Sequence, residues 1–303
     1  MSILRRVTDF ILQNRLPALG VAFVCAYIPY LGSLSVVIAA FVTLRKGAVE
    51  GGLVFLAATL AVLLIYFSHQ ADVTGAALGW LVLSVVSNLV IWFFAVLLYR
   101  YENWGFVVDC AILIGVVFVG LLHFSYPDIQ NFWSTRLTEY TNRLVASGNA
   151  EALTPQGQAQ IIAVSYYAGG LITAFILLNG ILQLMLARWW QGLMFNPGGL
   201  RKELYNIRLS HVVGILYIIL FVLSYMDNPI TVDMMPVIYL LFAVSGLSLM
   251  HYILAQRKYS WLWLLMMYAL AIKFLPQSGL LIAMVAFLDI WINFRNRLAR
   301  PVT

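Results

Sequence analysis

The sequence predicts an all-α protein, a polytopic helical membrane bundle of about ten membrane helices. Of its 303 residues, 63% are hydrophobic and only 10% are charged, a composition outside the range of soluble globular domains. It contains several runs of about 18 or more apolar residues, each long enough to cross a bilayer as a helix. These runs do not alternate apolar and polar residues, as the strands of a membrane barrel would.

The chain begins with a segment, residues 1–15, that we predict to be an amphipathic helix lying at the membrane interface. It carries basic residues but no cleavage site after a short apolar core, so we interpret it as retained. Its apolar side is formed by Ile3, Val7, Phe10 and Ile11.

An uncharged stretch, residues 16–44, follows and is too long for one crossing of a roughly 30 Å hydrocarbon core. Pro29, with Gly32 and Ser33 close behind it, predicts a turn. We therefore expect two short helices, 16–29 and 33–44, in a tight hairpin. The first helix carries Ala18, Ala22 and Ala26 at four-residue spacing, a small-residue stripe that lets another helix approach closely.

Three apolar helices, at about 50–67, 74–99 and 105–125, complete an N-terminal membrane region that covers residues 16–125. Residues 126–153 are the largest polar insertion, and their apolar residues recur at helical spacing. This pattern predicts an external amphipathic helix.

The C-terminal membrane region, residues 154–303, opens at Thr154 and Pro155, which have the form of an N-cap and a first helical residue. We expect a long helix from there to Trp190. Further helices are predicted at about 210–225, 235–255, 260–274 and 279–294. If the short hairpins within 16–44 and 260–294 are re-entrant rather than spanning, the number of membrane helices falls to eight or nine.

Segment 188–209, which contains the predicted cytoplasmic loop 189–209, interrupts the apolar runs. It joins a tandem Trp to an Asn-Pro-Gly-Gly turn and a short basic amphipathic stretch. Trp pairs and clustered Lys or Arg are typical of the cytoplasmic membrane interface. One face of the stretch is apolar (Leu200, Leu204 and Ile207), and the other is basic (Arg201, Lys202 and Arg208).

The distribution of Lys and Arg predicts the orientation. With the N-terminus inside, only Arg136, Arg143 and Lys273 of the 18 basic residues fall outside, which is a strong positive-inside pattern. We expect a multi-pass protein of the bacterial cytoplasmic (inner) membrane, with both termini cytoplasmic. The net charge of +6 is scattered over helix ends, so we expect no nucleic-acid partner. The residues expected inside are Arg5, Arg6, Arg15, Arg45, Lys46, Arg100, Arg188, Arg201, Lys202, Arg208, Arg257, Lys258, Arg295, Arg297 and Arg300.

Polar residues inside predicted spans have two interpretations. Glu50, Asp109, Asp289, His211 and His251 lie near predicted cytoplasmic ends, where they either pair with nearby Arg or Lys or form a polar cluster that binds a partner. Asn88, Asn179 and Gln183 lie deeper, where amides either bond helix to helix or line a cavity. The cavity candidates are Asn88, Asn179, Gln183, Asp109 and Asp289.

The sequence contains no recognised catalytic motif, neither a nucleophile elbow, a zincin helix nor a phosphate-cradling glycine loop. Its two cysteines lie in apolar runs, and no pair of His or acidic residues has ligand spacing. We therefore expect no enzyme activity, no catalytic residues, no cofactor and no metal.

Five short motifs occur along the chain: Pro29 to Gly32, Thr43 to Gly47, Arg188 to Trp190, Asn196 to Gly199, and Asp289 with Arg295. Together they resemble the motifs of the YybS-like integral membrane proteins of bacteria. That family is distantly similar to the substrate-binding (S) components of energy-coupling-factor transporters and to the rod-shape protein MreD. In S components an Ala-x3-Ala stripe on the first helix docks onto the transmembrane coupling protein, and Ala18, Ala22 and Ala26 match it.

Two functions follow as hypotheses. The first is S-component-like binding or transport of a small molecule, with a membrane partner protein docked through Ala18, Ala22 and Ala26. The second is a non-transporting scaffold that recruits partners through the basic segment 188–209, with Arg201, Lys202 and Arg208 as contacts. A closed, outward-facing cavity with convergent polar groups under residues 126–153 would favour the first, and a fully packed bundle would favour the second.

Overall fold

The computed structural model describes residues 2–28, 30–68, 75–147, 154–256, 261–275 and 277–298. Within these ranges the chain forms fifteen α-helices and no strand, so the all-α prediction is confirmed. Pro29, Arg257, Lys258, Arg300 and the end of the external insertion lie outside the described residues. In chain order the helices are α1 Ser2–Gln13, α2 Arg15–Tyr27, α3 Gly32–Lys46, α4 Ala48–Ser68, α5 Gly75–Tyr101, α6 Trp104–Ser125, α7 Ile129–Ala146, α8 Pro155–Ser165, α9 Ala168–Phe195, α10 Gly199–Leu204, α11 His211–Tyr225, α12 Pro229–Gln256, α13 Trp261–Lys273, α14 Gln277–Ile292 and α15 Phe294–Leu298.

Five of these helices are long and apolar enough to cross a membrane, namely α4, the Leu81–Tyr101 part of α5, α6, α9 and α12. The count rises to seven if the bent pairs α1–α2 and α13–α14 each form one span. These helices indicate a multi-pass membrane protein, whereas the predicted number of ten spans is not confirmed. The difference arises because several predicted helices, such as α11 with its 15 residues, are shorter than the about 20 residues of a typical crossing.

The helices group into two compact units. Unit 1 comprises Met1–Val107 and Ile176–Tyr205, and unit 2 comprises Val108–Phe175 and Asn206–Thr303. Each unit is therefore built from two stretches that are separate in the sequence.

Unit 1 is built around α3. The predicted hairpin is present, since α2 ends at Tyr27 and α3 begins at Gly32. Every residue of α3 from Ser35 to Leu44 is buried, and α3 packs against α2, α4 and α5. The approach to α4 is so close that a Cβ on Gly51 would lie 1.7 Å from Thr43 Oγ1. An apolar helix buried on all sides is a core element rather than a lipid-facing one.

The tandem Trp of unit 1 divides between surface and core. Trp189 is exposed, but Trp190 is buried and stacks on Phe41 with ring centroids 4.8 Å apart. Its Nε1 donates a hydrogen bond to Thr8 Oγ1 at 2.8 Å, which ties α9 to α1. Trp190 therefore lies in the core of unit 1 rather than on its surface, because its N–H finds a buried acceptor.

Helix α1 shows the amphipathic pattern only in part. Ile3, Val7 and Phe10 are exposed, as expected for an interfacial helix, but Ile11 is fully buried in unit 1. Helix α1 makes an angle of 118° with α2.

Unit 2 departs from the prediction at the long helix expected from Thr154 to Trp190. Thr154 does cap α8, because its Oγ1 accepts a hydrogen bond from Gly157 N at 3.1 Å. The helix then breaks between Ser165 and Ala168. Asp233 Oδ1 accepts the amide of Gly170 at 2.7 Å, and thus replaces the intrahelical acceptor that a continuous helix would supply.

Candidate functional site

Two pockets combine polar groups with access from outside the chain. The loop pocket lies in unit 1, has a volume of about 200 Å³ and is lined by Arg45, Arg188, Gln191, Gly192, Phe195, Asn196, Leu200 and Glu203. The corner pocket lies in unit 2, has a volume of about 550 Å³ and is lined by Leu122, Ser125, Tyr126, Pro127, Asp128, Ile129, Phe132 and Trp133.

The Asn-Pro-Gly-Gly turn shapes the loop pocket. Asn196 N donates to Gly192 O at 2.9 Å as α9 ends, and Gly199 N donates to Asn196 O at 3.0 Å. Gly198 has φ +83°, a conformation that glycine adopts without steric cost. A Cβ on Gly199 would lie 2.2 Å from Asn196 Nδ2. The two glycines therefore allow the chain to fold back so that α10 faces the end of α9.

A partly buried ion pair closes one side of the loop pocket. Arg188 contacts Glu203 through two nitrogens, at 2.6 and 3.0 Å, and Trp104 Nε1 donates to the same carboxylate at 3.1 Å. Burial raises the pKa of Glu203, but the hydrogen bonds from Arg188 and Trp104, together with the charge of Arg188, outweigh it. The net pKa of Glu203 lies below its usual value, so this carboxylate is ionised at neutral pH.

Gln191 anchors the loop pocket to α3. Its Nε2 donates to Leu44 O at 3.0 Å, and its Oε1 accepts a hydrogen bond from Arg188. The last turn of α3 thereby obtains a partner for a carbonyl that has no intrahelical donor.

Arg45 lies on the other side of the loop pocket. Its guanidinium lies over the ring of Phe195, 3.9 Å from the centroid. The side chain is exposed and makes no hydrogen bond or ion pair with any residue that the structure describes. One of the two guanidinium groups in this pocket is therefore open to a ligand.

The corner pocket is formed where α6 ends and α7 begins. Its lining is mostly apolar and aromatic, but two polar groups have no partner within the described ranges. Trp133 Nε1 is buried without a hydrogen bond, and the Asp128 carboxylate, directly before α7, makes no capping bond. Trp133 and Asp128 thus line the same mainly apolar pocket.

His123 and Asp233 form a buried pair in unit 2, and His123 lies beside the corner-pocket residues in the sequence. His123 Nε2 lies 2.9 Å from Asp233 Oδ2, and both side chains are almost completely buried. Asp233 also accepts the amide of Gly170. The pair therefore joins α6, α12 and the start of α9 within unit 2.

Most of the polar residues predicted near helix ends have structural partners. Glu50 forms an ion pair with Arg15 at 2.5 Å, and Asp289 forms one with Arg295. Both oxygens of Asp109 accept the amide of Ser210 at 3.2 Å. His211 packs edge-on against Trp291, and His251 lies 2.7 Å from Tyr268 Oη.

The deeper amides occupy unit 1. Gln183 Nε2 donates to Asn179 Oδ1 at 3.3 Å within α9, while Gln183 Oε1 is buried without a partner. Asn88 is half-buried on α5. None of the five cavity candidates, Asn88, Asn179, Gln183, Asp109 and Asp289, lines the loop pocket or the corner pocket.

The alanine stripe lies inside unit 1. Ala18, Ala22 and Ala26 are buried, and Ala26 packs with Ala58 and Ala61 of α4. The close helix approach predicted for the stripe therefore occurs within the chain itself.

The basic stretch is divided rather than continuous. Arg201 and Lys202 are exposed on α10, but Arg208 donates to Asp289 O at 3.2 Å and to Ile290 O at 2.7 Å. Ile207, expected on an interfacial apolar face, is buried in unit 2. The predicted amphipathic helix is wrong beyond Leu204, where α10 ends.

The pocket residues missed by sequence reasoning did carry a signal. Arg45, Arg188 and Asn196 belong to short sequence motifs, but these motifs indicate topology and a family resemblance rather than a pocket. Comparison of the chain with protein-family models, curated proteins and solved structures gives no significant match. The resemblance to YybS-like proteins stays a prediction.

Proposed function

We propose that this multi-pass membrane protein binds a small molecule in the corner pocket, as a carrier or the binding component of a carrier. The observation that carries this proposal is a mainly apolar pocket lined by Trp133 and Asp128, two residues whose indole N–H and carboxylate have no partner among the described residues. A ligand with an apolar body and one polar end that both donates and accepts hydrogen bonds would satisfy them.

The dimensions support the proposal. A volume of about 550 Å³ falls within the range of roughly 300–1,000 Å³ typical of small-molecule sites, which are mainly apolar with a few polar groups. The pocket also lies at the start of the predicted external insertion, residues 126–153.

The positive-inside pattern supports an orientation in which this pocket faces outward and both termini are cytoplasmic. The two hairpins, 16–44 and 260–294, return to their starting side. Because α4, α5, α6, α9 and α12 alone make five crossings, this orientation requires that the short helix α11 also crosses the membrane. The proposed location is the bacterial inner membrane.

The test is to purify the protein in mild detergent and to identify retained small molecules and proteins by mass spectrometry. Trp133→Phe keeps an aromatic ring but removes the indole N–H and part of the apolar surface, so ligand recovery should fall about tenfold or more, since one hydrogen bond alone contributes roughly 1–1.5 kcal/mol. Trp189→Phe is the matched control, because Trp189 is exposed and outside the pocket. Absence of any ligand from the wild type, or equal retention by both variants, would refute the proposal.

The second candidate function is a scaffold that recruits a partner protein through the basic surface of α10. Exposure of Arg201 and Lys202 favours it, whereas Arg188 and Arg208 are held within the chain. In the same purification a scaffold would retain a protein but no small molecule, and recovery of that protein would depend on Arg201 and Lys202.

A further inference from the structure

We infer that the loop pocket of unit 1 is a binding site for a phosphate-bearing anion, held by Arg45 together with Asn196. This site is separate from the corner pocket, and the inference does not rest on the proposed small-molecule function.

The charge of the pocket favours an anion. Arg45 and Arg188 contribute two positive charges and Glu203 one negative charge, so the lining carries a net charge of about +1 at neutral pH. Glu203 is occupied by Arg188 and Trp104. Among the charged residues that line the loop pocket, Arg45 is the one without a counter-ion in the part of the chain that the structure describes.

Arg45 is also positioned in advance. Its guanidinium rests on the face of Phe195, and the residue lies in the last turn of α3, whose preceding ten residues are all buried. Stacking on an aromatic ring and attachment to a rigid helix both reduce the entropy that the side chain loses when it binds a ligand. The exposed N–H groups of the planar guanidinium match the oxygens of a phosphate in a bidentate arrangement.

The uncommitted hydrogen-bonding groups point to the same ligand class. Gln191 is occupied on both its oxygen and its nitrogen, but the side chain of Asn196 makes no hydrogen bond with a described residue and is exposed beside Arg45. A guanidinium and an amide N–H₂ together offer several donors to one anion. A phosphate has enough acceptor oxygens to accept from both at once.

The size and position of the loop pocket limit the ligand to a small phosphate-bearing anion. A volume of about 200 Å³ suits a headgroup-sized anion rather than a drug-sized ligand. The pocket lies at the ends of α3 and α9, and Phe195 and Leu200 give it apolar surface. Such a site accepts either the phosphate of an anionic lipid or a free phosphate ester of similar size.

The experiment uses the full-length protein in detergent and two probes, short-chain phosphatidylglycerol and glycerol phosphate, with affinities measured by native mass spectrometry and calorimetry. Arg45→Gln should raise the Kd of the probe that binds by about tenfold or more, since a charge-assisted bond is lost. Arg201→Gln removes the same charge from α10 outside the pocket and should change the Kd by less than about twofold. Binding of the lipid alone identifies a headgroup site, whereas binding of glycerol phosphate identifies a site for soluble phosphate esters.

A second variant distinguishes a specific loss of binding from misfolding of the Arg45→Gln protein. Asn196→Asp keeps the shape of an exposed side chain but places a negative charge in the pocket, so it should also weaken binding by about tenfold or more. The inference is overturned if neither probe binds the wild type, if Arg45→Gln and Arg201→Gln weaken binding equally, or if Asn196→Asp binds like the wild type.

Discussion

Arg295 is almost completely buried, yet its guanidinium has several partners within unit 2. It pairs with Asp289 and donates to Ile207 O at 2.8 Å and to Ser248 Oγ at 3.1 Å. The bond to Ile207 fixes the non-helical segment that follows α10. The next residue of that segment, Arg208, donates hydrogen bonds to the backbone of α14. A buried ion pair has a high desolvation cost, so its effect appears mainly when one partner is lost.

Arg295→Gln should destabilise the protein by about 3–5 kcal/mol, because the carboxylate of Asp289 would stay buried without its counter-charge. The measurement is thermal unfolding in detergent, in comparison with Arg297→Gln. Arg297 lies on the same helix but is exposed, so its loss should change stability by no more than about 0.5 kcal/mol. Equal unfolding temperatures for the two variants would contradict a structural role of the ion pair.

At the scale of single elements, the contact of α3 with α4 depends on a glycine. The Cβ that an alanine would add at Gly51 would lie 2.7 Å from the backbone Cα of Thr43 as well as against its side chain. Backbone cannot move aside as a flexible side chain does, so the two helices would have to separate along α3, the most buried helix of unit 1.

Gly51→Ala should therefore destabilise the protein by about 1–3 kcal/mol, the usual cost of overpacking. The control is Gly20→Ala in α2, where an added Cβ would meet nothing within 4 Å and alanine improves helix propensity by up to about 1 kcal/mol. Chemical unfolding followed by circular dichroism compares the two. If Gly51→Ala were as stable as Gly20→Ala, the close approach of α3 and α4 would be refuted.

The elements differ in how far the sequence predicts them. Helix boundaries follow from local signals, so Thr154 as an N-cap and the turn between α2 and α3 were predictable. Packing partners were not, because an apolar side chain suits lipid and a neighbouring helix equally well. The burial of Trp190 and the break before Ala168 depend on Thr8 and Asp233, which lie far away in the sequence. The loop pocket combines Arg45 of α3 with segment 188–209, which lies far away in the sequence, and local periodicity carries no information on such convergence.

At the scale of the whole molecule, the number of spans and their orientation are separate properties. The structure supports five to seven spans by length and composition, whereas orientation rests on the positions of Lys and Arg along the chain. The external placement of α7 is therefore a prediction from the distribution of Lys and Arg and not from the structure.

Cysteine labelling tests the orientation. In a background with Cys25→Ala and Cys110→Ala, Thr138→Cys on α7 should react with an impermeant reagent in intact cells. Lys202→Cys on α10 should react only after permeabilisation. Both side chains are exposed, so accessibility within the protein does not limit either reaction. The opposite result would invert the proposed topology and place the loop pocket outside.

The burial of α3 has a consequence for the biogenesis of the protein. The Leu44 carbonyl receives its hydrogen bond from Gln191, 147 residues later in the chain, and Thr8 receives one from Trp190, 182 residues later. A ribosome therefore delivers α1 to α3 long before it delivers the part of α9 against which they pack. Until then α3 packs against α2, α4 and α5. The polar groups at the ends of the hairpin must meanwhile form hydrogen bonds with water or lipid headgroups. Unit 1 can be completed only after more than half of the polypeptide has been synthesised.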